Sequence, residues 1–393
     1  MTVLDRRDLP LRPPPPAEAF VRIAVLDVLR GAALVGALVI NLAVFSVDGG
    51  SPLISTRFDR VVAVLREILT DGKWYPIFAF LFGYSLALQL RGRLSMAVRR
   101  RRVARRLLAI ATIGIAHGLL LYRWDILLAY GVLGTLLYSA RQLSTRSIAA
   151  IGAGLVAFGA WLATEPSISP EQMGFSHIAG APAVEIYRHG TLLEVVRLHA
   201  HNYGYNLAQE VLAQWPYILA MMFAGLLAER HLLFSIATPQ EKRCRQWAYT
   251  VGATSLSWNI LAEVTKFDRT WRVTSFIGTL TILGQAIGAI AVLTRVRPLR
   301  FISSRLTVLG RMSLTNYLAQ SVICTTLAFG YGFGFGPLLT PSRQLFVLGL
   351  IVAVQVRLSR WWLTHHVHGP IEALIAAWVK RNPHTRLAAQ NAH

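Results

Sequence analysis

The chain has 393 residues, of which 54% are apolar and only 15% are charged, and its mean hydropathy is +0.47. Soluble domains carry about 25% charged residues, so this composition argues against a disordered chain, a coiled coil or a soluble nucleic-acid-binding protein. The net charge of +21 fits basic loops held at an anionic membrane face. The two cysteines, Cys244 and Cys324, exclude a CxxC zinc site.

The chain starts with a polar, proline-containing stretch that we interpret as a disordered cytoplasmic tail over 1–21. A transmembrane helix needs about 20 mostly apolar residues. The sequence therefore predicts an all-α polytopic membrane protein, with a transmembrane domain over 22–369 and a cytoplasmic tail over 370–393. The ten predicted spans are 28–47, 74–91, 105–122, 125–140, 146–163, 212–229, 247–264, 272–294, 307–329 and 344–363.

The positions of the arginines predict the topology of these spans. Eight arginines lie in the loop 91–106, which the positive-inside rule places in the cytoplasm. Alternation of the spans from this loop puts both termini in the cytoplasm. The expected location of the protein is the inner (plasma) membrane, which the chain crosses several times. Surface helices are predicted at 57–70 and 370–379, and the long outer loop 164–211 is expected to hold one or two helices over 182–200.

Ionisable and amide side chains inside a bilayer are costly and usually face the interior of the bundle. Asp27 and Arg30, spaced i,i+3 at the inner end of the first span, form a structural ion pair or contact an anionic cytoplasmic donor. Asn41, further out on the same helix, makes an interhelical hydrogen bond or contacts a substrate.

His117 lies in the outer half of the third span, and Asp125 begins the fourth after a short turn. A tight antiparallel hairpin would bring the two side chains to similar depth. A carboxylate can orient an imidazole and stabilise its cation. We therefore predict His117 as a catalytic base and Asp125 as its orienting partner, with packing as the alternative for both.

The ninth span carries a polar face formed by Asn316, Tyr317 and Gln320, in which Asn316 and Gln320 are i,i+4 neighbours. These three side chains are predicted to bind substrate. Asn259 and Glu263 make a similar pair in the seventh span. The histidines of the outer loop, His199 and His201, are interpreted as solvated or rim residues, with a catalytic role as the alternative.

Several stretches, taken in this order, resemble the YeiB-like membrane proteins, catalogued as domain of unknown function 418. They are 22–41, 80–87, 114–118, 125–131, 310–321, the glycine-aromatic run 329–337 and 359–362. That family is similar to a wider group of transmembrane acyltransferases, which includes the lysosomal heparan-alpha-glucosaminide N-acetyltransferase and the acyltransferase-3 proteins. The likeness to the lysosomal enzyme lies between Asp27 and Asn41 and between Gly310 and Tyr317.

The resemblance implies an acyltransferase that takes an acyl group from cytoplasmic acyl-CoA, with acetyl-CoA as the first choice, and delivers it across the membrane. Asp27 and Arg30 would bind this donor. One departure matters: the lysosomal enzyme has its active histidine after the first helix, whereas this sequence has none between Asn41 and His117. His117 is therefore assigned from depth and context.

In the predicted reaction, His117 removes a proton from a hydroxyl or amine of a glycan, lipid or small-molecule acceptor, and Asn41 or Asn316 stabilises the oxyanion. Membrane lipids are the expected surroundings, with no metal and no nucleic acid, and a homo-oligomer is left open. The alternative is a transporter or flippase for a lipid or small molecule. A non-enzymatic membrane partner or sensor is a third option.

Overall fold

The computed structural model describes residues 16–50, 54–70, 74–90, 95–165, 168–231 and 300–380, together with 246, 250, 252–258, 260, 261 and 265. All regular structure in this part of the chain is helical, as predicted. The eighth predicted span, the pair Asn259 and Glu263, and the terminal residues 1–15 and 381–393 lie outside the described residues.

The helices coincide with the apolar and amphipathic stretches of the sequence. Most of their ends lie within a few residues of those predicted, but the first helix begins at Pro16, 12 residues before the predicted span at 28. In chain order they are α1 (Pro16–Asp48), α2 (Arg57–Thr70), α3 (Trp74–Leu90), α4 (Met96–Leu120), α5 (Leu127–Ser139), α6 (Thr145–Thr164), α7 (Ala181–His189), α8 (Leu192–Ala213), α9 (Trp215–Arg230), α10 (Arg300–Arg311), α11 (Ser313–Ala328), α12 (Pro341–His365) and α13 (Pro370–Lys380).

Four of the described helices are long and apolar enough to cross a bilayer: α4, α12 and the segments Val25–Asp48 and Thr145–Leu162. A fifth span results if α8 and α9, which are bent by 52°, are counted together. Helices of this kind are typical of a membrane protein. The count of ten stays a prediction, because α3 and α5 are shorter than a full span and the predicted ninth span divides into α10 and α11.

The arginine-rich segment differs from its prediction as a loop. From Met96 onward it is the first part of α4, which begins nine residues before the predicted span at 105. Arginine is a good helix former, so a run of arginines extends the helix beyond its apolar part. α4 thus carries a basic end and, 11 residues beyond Arg106 or roughly 16 Å along its axis, the side chain of His117.

α1 and α10 are in contact through their backbones. A Cβ atom on Gly310 would lie 1.9 Å from the carbonyl oxygen of Asp27, and one on Gly31 would lie 2.0 Å from that of Leu306. Small residues let transmembrane helices approach closely enough for extensive van der Waals contact. The two glycines therefore fix the position of α1, which carries Asp27, against α10.

We expect Gly310→Ala to lower the thermal stability of the detergent-solubilised protein. The added methyl group has no space beside the carbonyl of Asp27, and overpacking of this kind costs about 1–3 kcal/mol. Gly154→Ala on α6 is the matched control, since a Cβ there meets nothing within 4 Å. Equal melting temperatures for the two variants would contradict the close approach.

The surface helix α2 is tied to the start of α12 by a single carboxylate. Asp59 Oδ2 accepts hydrogen bonds from the backbone N–H and the hydroxyl of Thr56, at 2.9 and 2.8 Å. The N–H of Asp59 donates back to the Thr56 hydroxyl at 3.0 Å, so the two residues cap the helix reciprocally. Asp59 Oδ1 accepts the backbone N–H of Ser342 at 3.0 Å.

Hydrogen bonds from Ser55, Ser342 and Thr56 hold the pKa of Asp59 well below its ordinary value. A carboxyl group with a depressed pKa stabilises the fold above its unfolded pKa of about 3.9, and this stabilisation is lost as the pH falls. We expect Asp59→Asn to lower the melting temperature most at neutral pH. The difference from the unmodified protein should shrink as the pH falls below about 4, and a constant difference would contradict this origin.

Candidate active site

The side chain of His117 lies between two hydrogen-bonding partners near the C-terminal end of α4. Its Nδ1 is 2.8 Å from Asp125 Oδ1, and its Nε2 is 2.8 Å from the hydroxyl oxygen of Ser321 on α11. His117 is 3% exposed and Ser321 is 1% exposed. The pairing of His117 with Asp125 was expected from the sequence, whereas the contact with Ser321 was not.

A glycine one turn before His117 allows the hairpin between α4 and α5 to close. A Cβ on Gly114 would lie 2.3 Å from the backbone nitrogen of Leu128 and 2.6 Å from Asp125 Oδ2. The first turn of α5 therefore lies directly against the backbone of α4. This contact closes the gap left by the residues between His117 and Asp125, and it depends on the absence of a side chain at 114.

Both oxygens of the Asp125 carboxylate are engaged. Oδ2 accepts the backbone N–H of Leu128 at 2.9 Å, which caps the start of α5, and Oδ1 faces His117 Nδ1. The positive end of the α5 dipole favours a negative charge at this place. Because a carboxylate can only accept, Nδ1 is the donor of this pair, and a neutral imidazole held in this way presents the lone pair of Nε2 to the Ser321 hydroxyl.

Aromatic rings surround the imidazole. The ring of Tyr317, one turn before Ser321 on α11, has its centroid 5.0 Å from that of His117, and the ring of Tyr122 is 6.1 Å away. An apolar setting strengthens the hydrogen bonds of His117. Since His117 and Ser321 are both buried, a substrate reaches them only when the surrounding helices open a path.

Asn316 and Gln320 face a different neighbour from Tyr317 and Ser321. The Asn316 amide donates to the hydroxyl of Ser359 on α12 at 3.1 Å, and the Gln320 amide donates to Gln355 Oε1 at 2.9 Å. The predicted polar face of this helix is thus divided between the histidine and α12. The contacts of Asn316 and Gln320 hold α11 against α12.

Asn41 is buried on α1, next in sequence to the buried core residue Leu42. No hydrogen bond in the described part of the chain joins it to His117, Asp125 or Ser321. Among the described residues, neither Asn41 nor Asn316 is therefore hydrogen-bonded to His117, Asp125 or Ser321. The oxyanion role predicted for these two amides stays a prediction.

Asp27 and Arg30 form the expected ion pair at the other end of the bundle. Arg30 Nη1 donates to Asp27 Oδ1 at 2.6 Å, and Nη2 donates to the hydroxyl of Ser85 on α3, also at 2.6 Å. Arg106 interacts electrostatically with Arg30, and Arg311 does so with Asp27. Asp27 is thus paired with Arg30 and attracted by Arg311, while Arg106 on α4 lies close enough to Arg30 for the two cations to repel each other.

The interpretation of His199 as a solvated residue is wrong. It is 3% exposed, and its Nε2 lies 3.1 Å from the hydroxyl of Tyr187. Val195, Leu198, His199 and Asn202 occupy one helical face of α8, so their i, i+3, i+4, i+7 spacing would have predicted the burial.

An ion pair between Asp48 and Arg123, 2.9 Å long, lies near the same end of the bundle.

Two curated proteins are similar to the chain over most of its length. The uncharacterized protein YxaH of Bacillus subtilis (strain 168) is 25% identical over 378 residues, which cover 90% of this chain and 93% of YxaH. The uncharacterized protein YeiB of Escherichia coli (strain K12) is 26% identical over 391 residues, which cover 90% of this chain and 95% of YeiB. No solved structure matches the chain significantly. A family model described as a protein of unknown function (DUF418) matches residues 227–382, and together with the two relatives it supports placing the chain with the YeiB-like family.

Proposed function

We propose that the protein is an acyltransferase of the plasma membrane that moves an acyl group from cytoplasmic acyl-CoA to a hydroxyl or amine acceptor at the outer side. The observation that carries this proposal is the buried hydrogen-bonded chain of Asp125, His117 and Ser321. A histidine oriented by a carboxylate and bonded to a hydroxyl through its second nitrogen is the arrangement of side chains used for acyl transfer.

The inner end of the bundle supplies a place for the donor. Guanidinium groups bind phosphate through paired hydrogen bonds. Arg30 and Arg311 act on Asp27, and Arg106 lies close enough to Arg30 to repel it, so this end of the bundle carries positive charge that an anionic donor would neutralise. The phosphates of the coenzyme would be held there, with acetyl-CoA as the first donor to test. The acyl end would extend about 16 Å along α4 towards His117.

The outer end of the bundle supplies the proton transfer. His117 accepts a proton from the attacking hydroxyl or amine on Nε2, and Asp125 stabilises the resulting cation through Nδ1. General base catalysis by such a group contributes about 10²–10⁴-fold to the rate. A glycan, a lipid or a small molecule can serve as acceptor in this scheme.

The proposal is tested with membranes that contain the protein and matched membranes that lack it. Both are incubated with acetyl-CoA, the released coenzyme thiol is titrated, and glycans and lipids are compared by mass spectrometry. We expect thiol release and an acetyl-sized mass increase only where the protein is present. The assay is then repeated with succinyl-CoA as the donor. Equal mass spectra and equal thiol release in the two preparations with both donors would contradict acyl transfer.

A transporter or flippase is the second candidate, and one observation favours it. α8 and α9 meet at an angle of 52° around Gln214, just before Pro216, which cannot continue the preceding hydrogen-bond pattern. Broken helices are common where transporters bind substrate. Acyl-CoA-independent movement of a labelled lipid across proteoliposomes containing the protein would favour this function over acyl transfer.

A further inference from the structure

We propose that Ser321 is the nucleophile of the reaction and carries the acyl group as an ester between donor and acceptor. This inference rests on the proposed acyltransferase function and makes it a two-step reaction. The position of Ser321 is the starting point: its hydroxyl oxygen is 2.8 Å from His117 Nε2, although the two residues are 204 positions apart in the chain. Three separate segments, α4, the turn before α5 and α11, meet at this point.

The behaviour of other buried hydroxyls shows that this contact is not the ordinary one for a helix. A serine or threonine inside a helix usually donates to a carbonyl three or four residues earlier. Ser46 donates to the carbonyl of Leu42 at 2.6 Å, and Thr325, one turn after Ser321, donates to that of Val322 at 3.2 Å. The hydroxyl of Ser321 instead lies beside the imidazole.

The proton positions suit a nucleophile. The Asp125 carboxylate favours the tautomer of neutral His117 with its proton on Nδ1, and in that tautomer the lone pair of Nε2 is directed at the Ser321 hydroxyl. A serine hydroxyl is a weak nucleophile by itself and is activated by an adjacent base that a third group orients. The three side chains of this site occupy those three positions.

The first step of the reaction consumes the donor. Ser321 Oγ attacks the carbonyl carbon of the acyl-CoA thioester, while its proton passes to His117 Nε2. The new C–O bond forms, the C–S bond breaks, and the proton on Nε2 moves to the departing sulfur. The products are the Ser321 ester and the free thiol of coenzyme A.

The second step uses the acceptor. His117 Nε2 takes the proton of the acceptor hydroxyl or amine, whose oxygen or nitrogen attacks the ester carbon. The bond from carbon to Ser321 Oγ breaks, and the proton returns from Nε2 to that oxygen. Since the two substrates react in turn, one buried site serves a donor from one face of the membrane and an acceptor from the other.

The purified full-length protein tests this assignment with a fluorophosphonate probe, which reacts with activated serines irrespective of the natural acyl chain. We expect one label per chain, located on the peptide that contains Ser321, and a loss of at least tenfold in labelling for His117→Ala. Thr325→Val is the matched control, because it removes a buried hydroxyl from the same helix that donates to the carbonyl of Val322 instead of contacting His117, and it should label normally.

A second measurement follows the exchange of labelled coenzyme A into acetyl-CoA without any acceptor. An acyl-serine intermediate permits this exchange, whereas direct transfer from donor to acceptor does not. We expect exchange by the unmodified protein and none by Ser321→Ala, with Ser321→Cys keeping a nucleophile at the same place if the alanine variant fails to fold. Failure of the unmodified protein to label at Ser321, or an active Ser321→Ala variant, would overturn the inference.

These outcomes separate the two proposals. Acyl-CoA-dependent modification of an acceptor without a labelled Ser321 would leave the acyltransferase function standing and remove the ester intermediate. A labelled Ser321 without any acyl-CoA consumption would point to hydrolysis of another substrate, and the acyltransferase function would then fail while the nucleophile remained.

Discussion

Replacing His117 by alanine is expected to lower acyl transfer by at least about 10³-fold. The imidazole is the group that accepts the proton of Ser321 or of the acceptor, and its Nε2 is already within 2.8 Å of the serine hydroxyl. Without it, the Ser321 hydroxyl loses the base that lies at hydrogen-bonding distance among the described residues. Thiol release from acetyl-CoA in reconstituted vesicles measures the loss.

The loss of the base must be separated from a loss of structure. Alanine at 117 leaves the buried carboxylate of Asp125 without its partner, which itself costs stability. A His117→Gln variant keeps an amide N–H that can reach towards Asp125, so it should fold better than the alanine variant and be equally inactive. His201→Ala, an exposed histidine on α8, serves as the control with full activity. Normal turnover by His117→Gln would contradict the role of a general base.

Asp125→Asn is expected to reduce turnover by about 10³–10⁴-fold while the protein stays folded. Both oxygens of the carboxylate are engaged: Oδ2 accepts the Leu128 N–H, and Oδ1 faces His117 Nδ1. Asparagine has one oxygen, and if that oxygen caps α5, its NH₂ group faces Nδ1. The imidazole must then carry its proton on Nε2, where it can no longer accept one from Ser321.

This variant isolates the orienting role because asparagine is as good a helix cap as aspartate. Its melting temperature should therefore stay close to that of the unmodified protein, while acyl transfer and fluorophosphonate labelling fall together. Asp59→Asn, which alters a carboxylate away from the site, is the control for activity. Full turnover by Asp125→Asn would show that the carboxylate only shapes the turn.

The pairing of His117 with Asp125 could be predicted because the two residues flank the short turn between α4 and α5, so residues close in sequence are brought together. The contact with Ser321 could not, since it depends on how α11 packs against α4 across 204 residues of chain. A signal was nevertheless present: Tyr317 and Ser321 are i,i+4 neighbours and share a buried face of α11. The spacing of Asn316 and Gln320 predicts that they share this face with Tyr317. In the structure, Asn316 and Gln320 instead bond to α12.

Helix positions were predicted well where apolar stretches are bounded by polar residues, as for α2 and α6. They were predicted less well where charged residues indicate a loop by their hydropathy but favour a helix by their propensity. α4 begins at Met96 because arginines favour a helix, although a hydropathy pattern assigns them to a loop. The same pattern merges α10 and α11, which the structure separates at Met312.

The burial of the site affects how quickly an ester at Ser321 would be hydrolysed. Water is the competitor of every acceptor, because it is present at a far higher concentration and attacks the same carbon. A residue that is 1% exposed and lies beside His117, whose ring contacts that of Tyr317, keeps such an ester away from water until an acceptor arrives. The burial of Ser321 would thus make the protein a transferase with little wasteful hydrolysis, and the lifetime of the loaded enzyme would be set by how often its helices part.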